Sequence, residues 1–240
     1  MIQPGRGRPR PQPFRGRRRP VRVDRVPLGD LRPDPVALVA RSAYLQLSLF
    51  ETASSIASRA SDLAERETVT RVAAAILGQH TGLVDLLTAE GEDPATAMQP
   101  YTSEIDRYWR RFGETGWHES VLTLHLATGL LDDFLAQLGS GLPAPLAERY
   151  RSILTADIGQ ESLVAVLAAA VAADRRMTSR LALWGRRIVG DTLLVARSAL
   201  ASAPGPDGEP AETEERRIEP VLNDLIAAHT RRMDRLGLTA

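Results

Sequence analysis

The sequence predicts an all-α protein, an antiparallel bundle of long helices behind a basic tail. Three observations carry this reading. Apolar residues recur at steps of three and four over long stretches, which places them on one face of a helix. Gly and Pro interrupt those stretches at few places. No stretch alternates as a half-buried strand does, and no unit repeats.

Four divisions follow from the same signals. Residues 1–33 are rich in Arg, Pro and Gly, with too little apolar surface to repay ordering, and read as a disordered tail. Residues 34–202 form the bundle, 203–211 a loop, and 212–240 a charged C-terminal helix. Order begins at Asp34-Pro35, since Asp caps a helix and Pro suits its first turn. Helix one then carries Val36, Val39, Ala43, Leu47, Phe50, Ala53 and Ile56 on one face. Helix two runs from about Arg66 to Glu90, with Val69, Val72, Ala73, Ile76, Leu83, Leu86 and Leu87 as its stripe and Gly91 as its stop. Asp93-Pro94 and Gln99-Pro100 punctuate a loop, and a short amphipathic piece covers Glu104–Phe112. Helix three covers Trp117–Leu138, helix four Leu146–Asp174, helix five about Met177–Ala201, and the last helix Glu212–Leu236. The uniform small-apolar stretch Leu163–Ala168 predicts a helix buried on several sides. Helices one to four make the bundle, and the last two pack outside it.

The chain has 240 residues, 43% of them hydrophobic and 25% charged, the profile of a soluble globular domain. It contains no Cys, which excludes disulfides, thiolate metal sites and cysteine nucleophiles and suits the cytoplasm. Its zero formal charge hides an asymmetry. Met1–Arg32 holds ten Arg against two Asp, a net +8, so the remainder carries −8. Arg6, Arg8, Arg10, Arg15, Arg17, Arg18 and Arg19 are therefore candidate phosphate contacts to RNA or DNA. No apolar segment in the tail makes it a secretory signal, and the longest apolar run, Leu163–Ala173, is too short to span a bilayer, so no membrane partner is expected.

The motif search excludes several chemistries. There is no Walker loop, no Gly-x-Gly-x-x-Gly before a helix and no Gly-x-Ser-x-Gly elbow. His118, His125 and His229 stand alone in sequence; His125 reads as a core histidine, while His229 and the neighbouring Arg231, Arg232 and Arg235 read as a solvated face. No catalytic residue emerges.

One run is more specific. Ser179-Arg180-Leu181-Ala182-Leu183-Trp184-Gly185-Arg186-Arg187-Ile188-Val189-Gly190-Asp191 resembles a stretch of the tRNA-hydroxylase-like (MiaE-like) branch of the ferritin-like superfamily. Asp93-Pro94 with Ala97-Met98, Asp132-Asp133-Phe134 and Ala43-Tyr44 are similar to other parts of it, so the likeness covers about Pro35 to Ala201. The resemblance implies a ferritin-like four-helix bundle with a diiron site. That site takes a carboxylate from each of two helices and a carboxylate-x-x-His pair from each of the other two. Such a protein uses iron and O₂ to hydroxylate tRNA.

Carried over residue by residue, the ligand positions fall on Gln46 in helix one, Ile76 and Gln79 in helix two, Thr128 in helix three, and Asp157 and Gln160 in helix four. Only Asp157 keeps a ligand-type side chain, and no Glu-x-x-His or Asp-x-x-His occurs anywhere in the chain. Neutral amides bind iron far more weakly than carboxylates, and two iron ions need several negative charges. Gln46, Gln79, Thr128 and Gln160 are expected instead to hydrogen-bond one another inside the bundle. Glu51, His80, Asp132, Asp133 and Glu161 are the residues that would supply displaced ligands. The leading expectation is a non-catalytic binding or scaffolding module without a cofactor, with RNA, a protein or a second copy as partner. The alternatives are an iron-dependent tRNA hydroxylase with displaced ligands, and a binder of small molecules in the emptied core.

Overall fold

A computed structural model describes residues 33–113, 115–201 and 211–239. The arginines Arg6 to Arg19 and the loop at 203–211, Ala211 excepted, lie outside the described residues.

Helix α1 spans Pro35–Arg59 and starts where Asp34 accepts from the Ala37 amide at 2.7 Å, with Pro35 in the first turn. Helix α2 spans Leu63–Ala89. Asp62 caps it by accepting from the Glu65 amide at 3.0 Å, so it begins one turn before the apolar stripe. Gly91 ends this helix region in the left-handed conformation (φ 85°), which only Gly adopts freely. Two short helices follow, α3 (Pro94–Met98) and α4 (Thr102–Arg110), joined by a 3₁₀ turn at Gln99–Tyr101. Helix α5 spans Trp117–Leu138.

Helix four of the sequence reading is two helices, α6 (Ala144–Leu154) and α7 (Gln160–Ala173). The turn between them has local causes. Asp157 Oδ1 accepts from the Gly159 amide at 2.8 Å, a bond that competes with helix. Gly159 itself sits at φ 83°, where the chain changes direction without a Cβ penalty. The Ala-rich stretch of α7 also differs from expectation. Only Leu163 and Leu167 are buried there, because α7 lies at the edge of the bundle and its alanines face outward. Helices α8 (Arg175–Ala201) and α9 (Ala211–Arg235) complete the described chain.

Packing gives the bundle its shape. α1 pairs along its length with α2, and α1 also lies against α5. α7 touches both α5 and α2, and α6 sits beside α2 and α5, which closes a ring of four layers. α8 covers the outer side of α5, and α9 packs on α5 and α8. α2 and the segment Trp117–Gly141 are long and apolar enough to cross a bilayer by length and composition alone. In this fold α2 buries one face against the bundle, and α5 is the core helix, wrapped by neighbours on most of its circumference.

The Leu-Trp-Gly-Arg-Arg run has a packing explanation. A Cβ on Gly185 would lie 2.4 Å from Met233 Cε, so the glycine leaves room for the end of the buried Met233 side chain of α9. Trp184 donates its indole N–H to Thr123 Oγ1 at 2.8 Å, and Arg187 lies over the same ring at 4.9 Å while facing Asp191. Arg186 donates to the Thr239 carbonyl at 2.9 Å.

A second close approach is testable. A Cβ on Gly139 would lie 2.4 Å from the Tyr150 ring, which is fully buried with its hydroxyl 2.6 Å from Ser42 Oγ. Gly139→Ala is expected to lower stability by about 1–3 kcal/mol through overpacking. Urea unfolding should show this as a lower midpoint with unchanged slope.

Candidate functional site

Three polar side chains of α5 share one face because they stand three and four residues apart: His125, Thr128 and Asp132. That face looks into the ring of helices, so each needs a partner from a neighbouring helix or from its own backbone. Thr128 is fully buried and donates to the Leu124 carbonyl at 2.7 Å. Its hydroxyl proton is thereby used, and Thr128 Oγ1 accepts from Gln160 Nε2 at 2.7 Å. The orientation of the Gln160 amide follows: its Oε1 faces His125 Nδ1 and takes the N–H of that ring. His125 therefore carries its proton on Nδ1, and Nε2 is a bare acceptor. Nε2 has no protein partner among the described residues, although His125 is only 2% exposed. Burial pushes the imidazole down to about 4; the Gln160 bond opposes this, and Arg232 and Arg235 add to it.

Asp132 is tied to helix α1. Gln46, fully buried, donates Nε2 to Asp132 Oδ1 at 2.6 Å, while Gln46 Oε1 has no partner. Desolvation raises the Asp132 carboxyl to about 8, with the Gln46 bond opposing, Asp133 adding and Arg232 opposing. At neutral pH the interior thus holds a neutral imidazole and a largely protonated acid.

The remaining positions do other work. Ile76 is fully buried among apolar neighbours. Gln79 donates Nε2 to the carbonyls of Ile153 and Leu154, both at 3.2 Å. These are the last carbonyls of α6, which no amide of the same helix can reach, so Gln79 caps that helix from across the bundle. Asp157 is exposed in the turn before α7 and bonded to Gly159. Gln46, Gln79, Thr128 and Gln160 therefore do not form one mutual network, as the sequence suggested. Only Thr128 and Gln160 meet; Gln46 and Gln79 bond to Asp132 and to the end of α6 instead.

The displaced-ligand candidates are also spread out. Glu51 is exposed, His80 is half-buried with Nδ1 donating to the Ala43 carbonyl at 2.9 Å, and Glu161 is exposed and paired with Arg235. Asp133 accepts from Arg232 at 2.7 Å. Among the described residues, no three His, Asp or Glu side chains converge as an ion site.

Two residues were misjudged from sequence. Arg232 is not solvated: it lies against α5, donating to the Gly129 carbonyl at 2.9 Å and to Asp133. His229 is 2% exposed, with burial holding its ring down at about 4. The signal available for both was the three-residue step between them, which puts them on one face of α9.

These groups border a cavity of about 390 Å³ between α5, the 155–159 turn and α9, lined by His125, Asp132, Asp157, Gln160 and Arg232 together with Leu154 and Ile158. A second cavity of about 310 Å³ lies between α1, α4 and α5, lined by Glu51, Arg59, Trp109 and Phe112. Both fall in the size range of small-molecule sites.

Residues 32–203 match the family described as "Ferritin-like domain, actinomycetes", which spans well over half of the chain. The chain belongs to that family. None of the curated proteins matches it.

The buried groups set a pH optimum for stability. Folded Asp132 keeps its proton up to about pH 8, against 3.8 ordinarily, so stability falls as pH rises through that window. His125 and His229 stay neutral when folded down to about 4, against 6.5 ordinarily, so stability falls as pH drops through theirs. Between about 4 and 6.5 the opposite effects of Asp132 and His125 cancel, and the direction left is that of His229. Stability should therefore peak near pH 6.5 and fall toward pH 8 by at most about 1.4 kcal/mol per unit. Urea midpoints across pH 4 to 8 check this. Asp132→Asn should flatten the alkaline side, and His229→Gln the acid side.

Proposed function

We propose that this ferritin-like chain is a non-catalytic binding or scaffolding module, related to the tRNA-hydroxylase-like branch and without that branch's diiron chemistry. One observation carries the reading: the hydrogen-bond chain from His125 through Gln160 to Thr128 and the Leu124 carbonyl. It uses up the polar atoms of α5 and α7 at the positions where the branch has ligands. The donor set does not fit a pair of iron ions. Gln46 and Gln79 are neutral and already donate to protein groups, Ile76 has no donor, and Asp157 is turned out to solvent. A lone half-buried Asp132 that holds its proton to about pH 8 does not supply the negative charge that two divalent or trivalent ions require.

The partner side of the reading rests on the basic segment. Seven arginines between Arg6 and Arg19, set before a body of opposite net charge, suit salt-sensitive contact with RNA phosphates. The bundle then acts as the folded body that this segment tethers. A cytoplasmic, cysteine-free chain without an iron centre fits that role.

Two measurements test the proposal. Protein expressed in iron-supplemented medium is expected to carry far less than one iron or manganese ion per chain by elemental analysis. Close to two ions per chain would overturn the reading in favour of an O₂-using tRNA hydroxylase with displaced ligands. For the RNA side, filter binding to a generic single-stranded RNA should weaken steeply with salt, and removing residues 1–32 should abolish it. Equal affinity with and without that segment sinks the RNA assignment.

A further inference from the structure

Helix α7 carries an apolar face that is uncovered among the described residues. From Leu163 to Ala173 it holds no polar side chain, yet only Leu163 and Leu167 are buried. Ala165, Ala168, Ala169 and Ala172 are exposed. Their steps of three and four put them in one stripe, on the side opposite Leu163 and Leu167. Half-buried Val164 and Val171 form one shoulder of the stripe and Val166 the other. Charges of opposite sign bound the face at its two ends. Glu161 stands in the first turn, where its side chain stays 75% exposed beside Arg235. Arg175 and Arg176, both exposed, follow directly after the last turn.

We propose that this face is the interface between two copies of the chain, with α7 packed antiparallel on α7 about a two-fold axis that passes by Ala168 and Ala169. The register that sets Ala165 against Ala172 of the second copy also sets Ala168 against its Ala169. The same register brings Glu161 level with Arg176 of the second copy, and the symmetry makes every one of these pairings twice. A parallel pairing would instead set Glu161 beside Glu161 and the arginines beside each other. Methyl side chains let two helix axes approach to about 8 Å, the short end of the usual range, which brings the valine shoulders into contact. Other occupants match the face less well. A bilayer surface takes up bulky apolar or aromatic side chains, and the exposed stripe has only alanines. The Arg-rich segment before the bundle offers charge where the stripe offers methyl groups. At 14 residues α7 is about 21 Å long, so its face covers less than the roughly 800 Å² per partner of a standard interface. The dimer is therefore reversible, forming in the micromolar range.

Sedimentation velocity of the full chain across the micromolar range tests this, and a concentration-dependent passage from monomer to dimer is expected. Ala168→Glu sets two carboxylates at the axis and should weaken the dimer by about tenfold or more. Because that site is exposed, the variant should still unfold in urea near the parent midpoint when both are monomeric. Glu161→Arg and Arg176→Glu should each weaken the dimer, and the double variant should restore it. Leu183→Glu, on the exposed side of α8, should leave it unchanged. The absence of Cys from the chain allows a geometric check. Ala168→Cys should oxidise to a disulfide-linked dimer, and Leu183→Cys should stay monomeric on non-reducing gels. A monomer at every concentration, a dimer indifferent to Ala168→Glu, or one lost with Leu183→Glu would overturn the assignment. So would a monomer that pellets with phosphatidylcholine vesicles, which would give the face to a membrane.

Discussion

Helix α5 is the constraint from which the rest follows. It is touched by α1, α6, α7, α8 and α9, so almost no part of its surface meets water. A helix in that position must be apolar nearly all round, and every polar side chain it carries must be satisfied by something the fold brings to it. His125, Thr128 and Asp132 are the polar exceptions that face the ring, and each draws a specific neighbour: Gln160 from α7, the helix's own carbonyl, and Gln46 from α1. The helices are thereby fixed in register along the axis as well as in contact. Glu119 at the other end of α5 repeats the pattern, buried and paired with Arg180 of α8.

That constraint separates what was legible in the sequence from what was not. Helix beginnings and ends were legible because their causes are local. Asp34 bonds the amide three residues on, and Gly91 takes a conformation that its own lack of a side chain permits. The Asp62 cap was passed over, and α2 was expected one turn late, at about Arg66, because the apolar stripe starts only at Val69. The buried stripe of α2 was legible because Val69, Val72, Ile76, Leu83 and Leu87 all follow one helical period. The break at 155–159 was not. Gly159 lies in a run that helical periodicity alone continues through, and the bond from Asp157 that stabilises the turn leaves no periodic trace. The pairing of Gln46 with Asp132 was equally hidden, since 86 residues separate them and only the packed bundle sets their distance. Composition misled in α9, where a charged sequence conceals a face that buries His229 and Met233 and half-buries Arg232.

The two ends of the ring have different characters as a result. Around Trp109, Phe112 and Trp184 the cover over α5 is aromatic, with edge-to-face contacts at 5.0 Å between Tyr108 and Phe112 and 6.5 Å between Phe112 and Trp184. Around Asp132, Asp133 and Arg232 it is ionic and opens onto the larger cavity. The turn between α6 and α7 borders that second end, so the space there exists because the fourth layer of the bundle is two short helices rather than one long one.

Gln79 gives that turn a further meaning. Its amide nitrogen is engaged by two carbonyl oxygens at the end of α6, so the side chain on α2 and the break in the opposite layer are one feature seen from two helices. An acidic residue at 79 would set a carboxylate against those same oxygens, lone pair to lone pair. Substitutions here are consequently epistatic. A carboxylate cannot be installed at this position by changing it alone, since the 155–159 turn would have to be rebuilt in the same step, whereas a side chain that keeps an N–H donor meets no such conflict.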